Sequence, residues 1–156
     1  VCVSLETGNA MAPFKRILIS TEFSDASNRA VELAVKGVAT DVGSVIKVVH
    51  VIQVETPNPL YAHYHEPDEA EHQAAKDKAL KMMKAAVPDI PGDCVRVEYD
   101  LPEGDPVVKV LETARRFEAD LIVMATEGRT GLRSLITGSV AEAVVRESPC
   151  PVLVVK

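Results

Sequence analysis

The stretch most able to do chemistry is Leu121-Ile-Val-Met-Ala-Thr-Glu-Gly-Arg-Thr-Gly-Leu-Arg-Ser-Leu-Ile-Thr-Gly-Ser-Val-Ala-Glu. It reads as an apolar strand, then a loop holding Gly128, Arg129, Gly131 and Arg133, then a helix opening at Gly138-Ser139. Glycines let a backbone pass close to a phosphate, and a helix N-terminus offers unpaired N–H groups at the positive end of its dipole. The Ser139 hydroxyl and the amides of Ser139 and Val140 are therefore candidates to bind a phosphate. The same residues have a plainer role open to them. Ser139 and Glu142 stand at capping-box spacing, so Ser139 would then only close the helix end.

The histidines are the next candidates. His63 and His65 alternate, with Glu66, Asp68 and His72 nearby, and such side chains hold zinc when three or four converge. Here they lie on a proline-flanked loop entering an acidic helix start, which is the pattern of a solvated charge run. No metal is assigned. His50 ends an apolar strand and reads as a hydrogen-bonded structural residue. The sequence has no GxSxG elbow, no GxxxxGK[ST] phosphate loop and no GxGxxG after its first strand. Without a base–nucleophile pair, no dedicated enzyme activity is assigned; any slow ATP hydrolysis would arise from bound nucleotide and water.

These residues must be positioned by a scaffold, and the hydrophobic pattern specifies one. Arg16–Thr21 reads as a buried strand and Ser24–Asp41 as a helix with Ala30, Leu33, Ala34, Gly37 and Val38 on one face. Ser44–Val54 is a β-branched strand, and Glu55–Pro67 a loop. Asp68–Val87 is a helix with Ala75, Ala79, Met82, Met83 and Ala86 as its core stripe. Cys94–Tyr99 is a third strand. Asp105 caps a helix with Pro106 at its first position and Val107, Val110, Leu111, Ala114 and Phe117 inward. Asp120–Thr126, a helix from Ser139 and the strand Pro151–Lys156 complete the chain. Strict β-α alternation with continuous apolar strands predicts a doubly wound parallel sheet with helices on both faces. Ligands of such sheets bind beyond the carboxyl ends of the strands, where the strand order reverses.

Within that frame, Gly128-Arg-Thr-Gly, Gly138-Ser-Val-Ala-Glu and Ser148-Pro-Cys-Pro-Val-Leu-Val-Val resemble the C-terminal signature of the universal stress proteins. Arg16-Ile-Leu-Ile-Ser-Thr-Glu-Phe-Ser, His50-Val and Glu103-Gly-Asp-Pro extend the resemblance over Phe14–Lys156. It implies a five-stranded, Rossmann-like α/β fold in strand order 3-2-1-4-5. The nucleotide-binding branch of the family carries Gly-x2-Gly-x9-Gly-Ser/Thr, matched here at Gly128, Gly138 and Ser139, with Ala125 in place of the first glycine. Its aspartate at the end of strand one is replaced by Glu22. Carried over, the resemblance places Ser20, Thr21 and Glu22 beside an adenosine, Ile46 and Met124 near its base, and Ala125, Gly128, Arg129, Gly138, Ser139 and Val140 along the phosphates. The implied cofactor is ATP or another adenine nucleotide, with magnesium as its accompanying ion. The implied assembly is a homodimer through the last strand, Val152, Leu153, Val154 and Val155. A scaffold of the same fold without nucleotide is the alternative, favoured by Ala125 and Glu22.

Composition narrows the partners and sets the frame. The chain has 156 residues, enough for one domain with a core of its own; residues 11–156 read as that domain, and 1–10 as an extension ahead of Met11. Seventeen basic against twenty-three acidic residues give a formal charge of −6, which argues against sequence-independent nucleic-acid binding. Three widely spaced cysteines, Cys2, Cys94 and Cys150, form neither a disulfide framework nor a zinc knuckle. The longest apolar runs, such as Leu121–Ala125 and Val152–Val155, have strand length. The expected location is the cytoplasm, with no membrane contact.

Overall fold

A computed structural model describes residues 14–38, 43–53, 68–90, 95–126 and 139–156. Five parallel strands form one sheet in the order β3-β2-β1-β4-β5. They are β1 (Arg16–Ser20), β2 (Ser44–Val49), β3 (Val95–Asp100), β4 (Leu121–Ala125) and β5 (Val152–Val155), separated by α1 (Asp25–Leu33), α2 (Glu69–Ala86), α3 (Pro106–Phe117) and α4 (Ser139–Glu147). This is the expected sheet and the expected strand order. The chain starts at the centre, winds outward through β2 and β3, then returns past β1 to β4 and β5. The order therefore reverses between β1 and β4, whose pairing runs from Ile17–Leu121 to Ile19–Val123.

Helices cover both faces of the sheet. On one face, Ile17 and Ile19 of β1, Ile46 and Val48 of β2 and Val123 of β4 pack against Ala30, Val31, Ala34 and Val35, with Met83 of α2. On the other, Leu18, Val49, Ile122 and Met124 meet Val110, Leu111, Ala114 and Phe117 of α3 and Ala141 and Val144 of α4. A central parallel strand buried on both sides must be apolar at every position, which explains the unbroken Ile17-Leu18-Ile19 and Leu121–Met124. Asp120 fixes the start of β4 against β1, its carboxylate accepting the backbone N–H of Lys15 at 2.7 Å and of Arg16 at 3.0 Å.

The helix ends follow their local chemistry. The Asp105 carboxylate accepts the Val108 N–H at 3.0 Å, with Pro106 in the first turn, as the sequence indicates. Asp68 and Glu71 form a reciprocal capping box at the start of α2.

Two helical faces differ from expectation. The buried side of the first helix is Ala26, Ser27, Ala30, Val31, Ala34 and Val35, while Leu33 is 44% exposed and Gly37 also faces solvent. Small residues bring this helix close to the sheet, and the chain widens into a π turn over Ala34–Val38, so the stripe drifts away from Leu33 and Gly37. In α2, Ala79 and Met83 are buried, but Ala75 is exposed and Met82 is 41% exposed. A single-edged contact with the sheet needs only a narrow stripe. The regular strand β2 is also shorter than the β-branched run suggests: it ends at Val49, and the chain then continues beside the residues after β3 through an isolated parallel bridge, Ile52 with Glu103. Cys94 and residues 54–67 lie outside the described residues.

Candidate functional site

Beyond the carboxyl ends of the central strands lies a cleft of about 560 Å³, within the range of small-molecule sites. β1 supplies Ser20, Thr21 and Glu22, and α1 supplies Ser27. Residues His50–Gln53, just after β2, form one wall with Pro106 at the start of α3. β4 and its continuation supply Met124, Ala125 and Thr126, and the first turn of α4 supplies Ser139, Val140 and Ala141. The cleft thus stands at the reversal of strand order, where doubly wound sheets bind ligands.

Seven of the residues named from sequence line this cleft: Ser20, Thr21, Glu22, Met124, Ala125, Ser139 and Val140. Ile46 does not. It sits in mid-strand β2, paired with Ile17 and Val97 and fully buried under α1, more than half a strand below the cleft. The wall near β2 is formed instead by His50–Gln53. Gly128, Arg129 and Gly138 lie outside the described residues, as do His63, His65 and Glu66. Sequence reasoning did not name Ser27, Val51, Ile52, Gln53, Pro106 and Ala141 as cleft residues; Thr126 follows from it as the end of the strand Asp120–Thr126, and His50 is hydrogen-bonded as expected but also lines the cleft. The signal for Val51–Gln53 was the pairing partner: Ile52 bridges Glu103, its N–H donates to Pro102 O at 2.9 Å, and the Gly104 N–H donates back to Ile52 O at 3.0 Å. Gly104 turns there at φ +129°, a conformation open to glycine.

The β1 side of the cleft is densely hydrogen-bonded. The Thr21 hydroxyl donates to Ser27 Oγ at 3.2 Å and accepts the Phe23 N–H at 3.3 Å. Ser27 Oγ–H in turn donates to Ser24 O at 2.9 Å. Ser24 caps α1 by accepting the Ser27 N–H at 3.1 Å, and its hydroxyl donates to Glu22 Oε1 at 3.3 Å. Phe23 has φ +65°, a left-handed conformation that costs a side-chain-bearing residue about 1–2 kcal/mol. His50 spans the gap to this turn: its Nδ1 lies 2.9 Å from Thr21 O, and its ring sits 4.3 Å from that of Phe23. A carbonyl oxygen only accepts, so Nδ1 carries the proton.

The β4 side is built differently. Ala125 is a regular strand residue paired with Val155, so the left-handed backbone that would demand glycine is not in use here. The Thr126 hydroxyl is buried without a hydrogen-bond partner among the described residues. Ser139 is the first residue inside α4, and the Glu142 carboxylate accepts from Arg146 at 2.9 Å. The first turn of α4, Ser139–Ala141, lines the cleft. Glu22 and His50 are the ionisable side chains among the described lining residues.

An ion-pair cluster braces the wall from outside. Lys76 Nζ lies 2.6 Å and His72 Nε2 3.0 Å from Glu103 Oε1, and these contacts, that of Lys76 foremost, hold the Glu103 carboxyl below its usual range. His72 is thus committed to a structural contact, and no group of three or more potential metal ligands exists among the described residues. Cys150 is half-buried, and burial pushes its thiol pKa up, so it is not an activated nucleophile.

The sequence pattern of the Universal stress protein family matches residues 13–156. The chain belongs to this family. A universal stress protein of Thermus aquaticus is 36% identical over 147 residues, covering 92% of this chain and 99% of its own. Another, from Methanocaldococcus jannaschii, is 34% identical over 148 residues and covers 92% and 82%. Solved structures share the fold at lower identity. A universal stress protein family protein from Arabidopsis thaliana, determined with AMP bound, superposes with a TM-score of 0.60 at 19% identity over 91% of each chain. The universal stress protein of Archaeoglobus fulgidus in complex with dAMP gives 0.57 at 20% identity, over 93% of this chain and all of that one. Among the described residues of this family member, no helix is long and apolar enough to cross a membrane.

Proposed function

We propose that this universal stress protein is a cytoplasmic, homodimeric stress-response module whose cleft binds an adenine nucleotide. The observation that carries the reading is the position of the cleft, with a polar β1 turn on one side and the α4 N-terminus on the other. Proteins of the same fold hold AMP and dAMP. The nucleoside lies against Ser20, Thr21 and Glu22 over Met124, and the phosphates lie toward Ser139 and Val140. Gly128, Arg129 and Gly138 are assigned to the phosphates by the family motif alone. Magnesium accompanies a triphosphate in this reading. A carboxylate at Glu22 accepts from a ribose hydroxyl, one methylene further out than the family's aspartate.

Two measurements test it. Adenine nucleotide is expected among the small molecules released when the purified protein is denatured and analysed by mass spectrometry. ATP with magnesium is expected to raise the melting temperature by mass action, and replacing Gly138 or Ser139 is expected to abolish that rise. No thermal shift at millimolar ATP would leave the fold as a scaffold acting through protein contacts.

The dimer rests on β5. It is an edge of the sheet, paired with β4 on one side, and its Val152–Val155 are all half-buried. Antiparallel pairing with the same strand of a second copy would satisfy the outer backbone groups and cover the valines. Light scattering should report twice 16.8 kDa. Val154→Pro removes a ladder donor and should halve that mass. A native mass of 16.8 kDa at micromolar concentration would overturn the dimer.

A further inference from the structure

The residue after β2 that the hydrophobic pattern marks as structural stands where it can control the ligand-facing side of β1. His50 lines the cleft and makes a directional contact to another lining residue: Nδ1–H donates to Thr21 O at 2.9 Å. Its ring also lies 4.3 Å from Phe23, tilted by 38°. Phe23 holds φ +65°, so the turn Thr21-Glu22-Phe23 is bent in a way that its own sequence does not favour. His50 itself is fixed, because its backbone N–H donates to Asp100 O at 3.1 Å on β3. The imidazole therefore grips both ends of the turn that carries Glu22, from a strand that the turn does not belong to.

We infer that His50 is a positioning residue for nucleotide binding: by holding the Thr21 carbonyl and the Phe23 ring, it aims the Glu22 carboxylate into the cleft. The inference rests on the nucleotide reading of the cleft and adds to it a residue that acts through Glu22. Preorganisation of this kind raises affinity because the bound geometry exists before the ligand arrives. Two features of the turn support the assignment. Glu22 is further restrained by the Ser24 hydroxyl at 3.3 Å, so its carboxylate depends on the path of the turn. Thr21 is only 4% exposed and shares its hydroxyl with Ser27 and Phe23, so any shift of its carbonyl is transmitted to both neighbours.

The chemistry of the imidazole supplies a discriminating pair of variants. Asparagine places a side-chain N–H where Nδ1 stands, and glutamine places its amide near Nε2 instead. AMP binding to the full chain, followed by calorimetry with melting curves recorded for every variant, is the test. His50→Gln should weaken AMP by about tenfold, whereas His50→Asn should remain within about threefold of the unmodified protein. In a Glu22→Ala background, His50→Gln should cost less than about twofold, because the group it positions is gone. A merely structural histidine would give additive losses in that cycle and no rescue by asparagine. Folded His50→Gln protein that binds AMP as well as the unmodified chain overturns the inference, as does additivity with Glu22→Ala. Failure of the unmodified protein to bind AMP and ATP alike would instead overturn the nucleotide reading itself, and this inference with it.

Discussion

The two sides of the cleft are prepared to different degrees. At the end of β1, Thr21, Ser24, Ser27 and His50 satisfy one another, and Phe23 is held in a left-handed conformation. At the end of β4, the Thr126 hydroxyl is buried without a partner among the described residues, and the first turn of α4 lines the same cleft. Satisfied buried polar groups rigidify a structure, while an unsatisfied one is an energetic cost that the fold carries. In the nucleotide reading proposed above, the contrast would give the two sides different tasks: the β1 turn is preformed, while the β4–α4 side has polar capacity still to be filled.

The largest effect that could break this contrast is on the β1 side. Thr21→Val keeps the shape but removes a hydroxyl that serves Ser27 and the Phe23 N–H, so it should lower stability by about 1–3 kcal/mol in denaturant unfolding. The isosteric change across the cleft should have the opposite sign. Thr126→Val removes a buried hydroxyl that has no partner among the described residues, so the apo protein should be equally stable or gain about 1 kcal/mol. A loss of stability at Thr126 similar to that at Thr21 would mean that the two sides are wired alike.

Smaller effects sharpen the comparison. Glu22→Asp with Ala125→Gly restores the family's residues on each side and should tighten ATP binding by a few-fold in calorimetry. The gain should come mainly from Glu22, because Ala125 already has a strand backbone and offers only the space of one methyl group. The smallest effect concerns the outer brace. Glu103 has its pKa lowered by Lys76 and His72, so its contribution to stability is complete above the unfolded value of about 4.3 and is lost as pH falls through the lower folded value. The pair is over a third exposed at Glu103 and screened by solvent, so Glu103→Gln should cost about 0.5 kcal/mol or less at pH 7. That cost should vanish in acid, as followed by melting at pH 7 and pH 3.

Much of this arrangement was legible in the residues, for identifiable reasons. The alternation of apolar runs with helical stripes specified a parallel sheet, and Asp105-Pro106 marked the start of α3 by its local chemistry. Seven cleft residues followed from the family motif, because strand ends and a helix start are fixed by the chain's own pattern. What escaped were positions set by packing between elements. The burial of Ala26 and Ser27 over Leu33 depends on how closely α1 approaches the sheet, which composition does not encode. The misplacement of Ile46 and the late recognition of Val51–Gln53 share a cause. A β-branched run through Val54 hides the point where the regular strand β2 ends at Val49, and the pairing that continues past it is with Pro102–Gly104 after β3, some fifty residues further along the chain. His50 is hydrogen-bonded as its place at a strand end suggested, but its partner, the Thr21 carbonyl, belongs to the backbone and leaves no trace in side-chain patterns.

The central claim, that the cleft holds an adenine nucleotide, is tested most directly by titrating ATP with magnesium into the unmodified protein in a calorimeter. The account predicts saturable heat with one site per chain and a dissociation constant in the micromolar range or below, about −8 kcal/mol or more favourable. Absence of any saturable heat up to millimolar ATP, in protein that melts cooperatively, would contradict it.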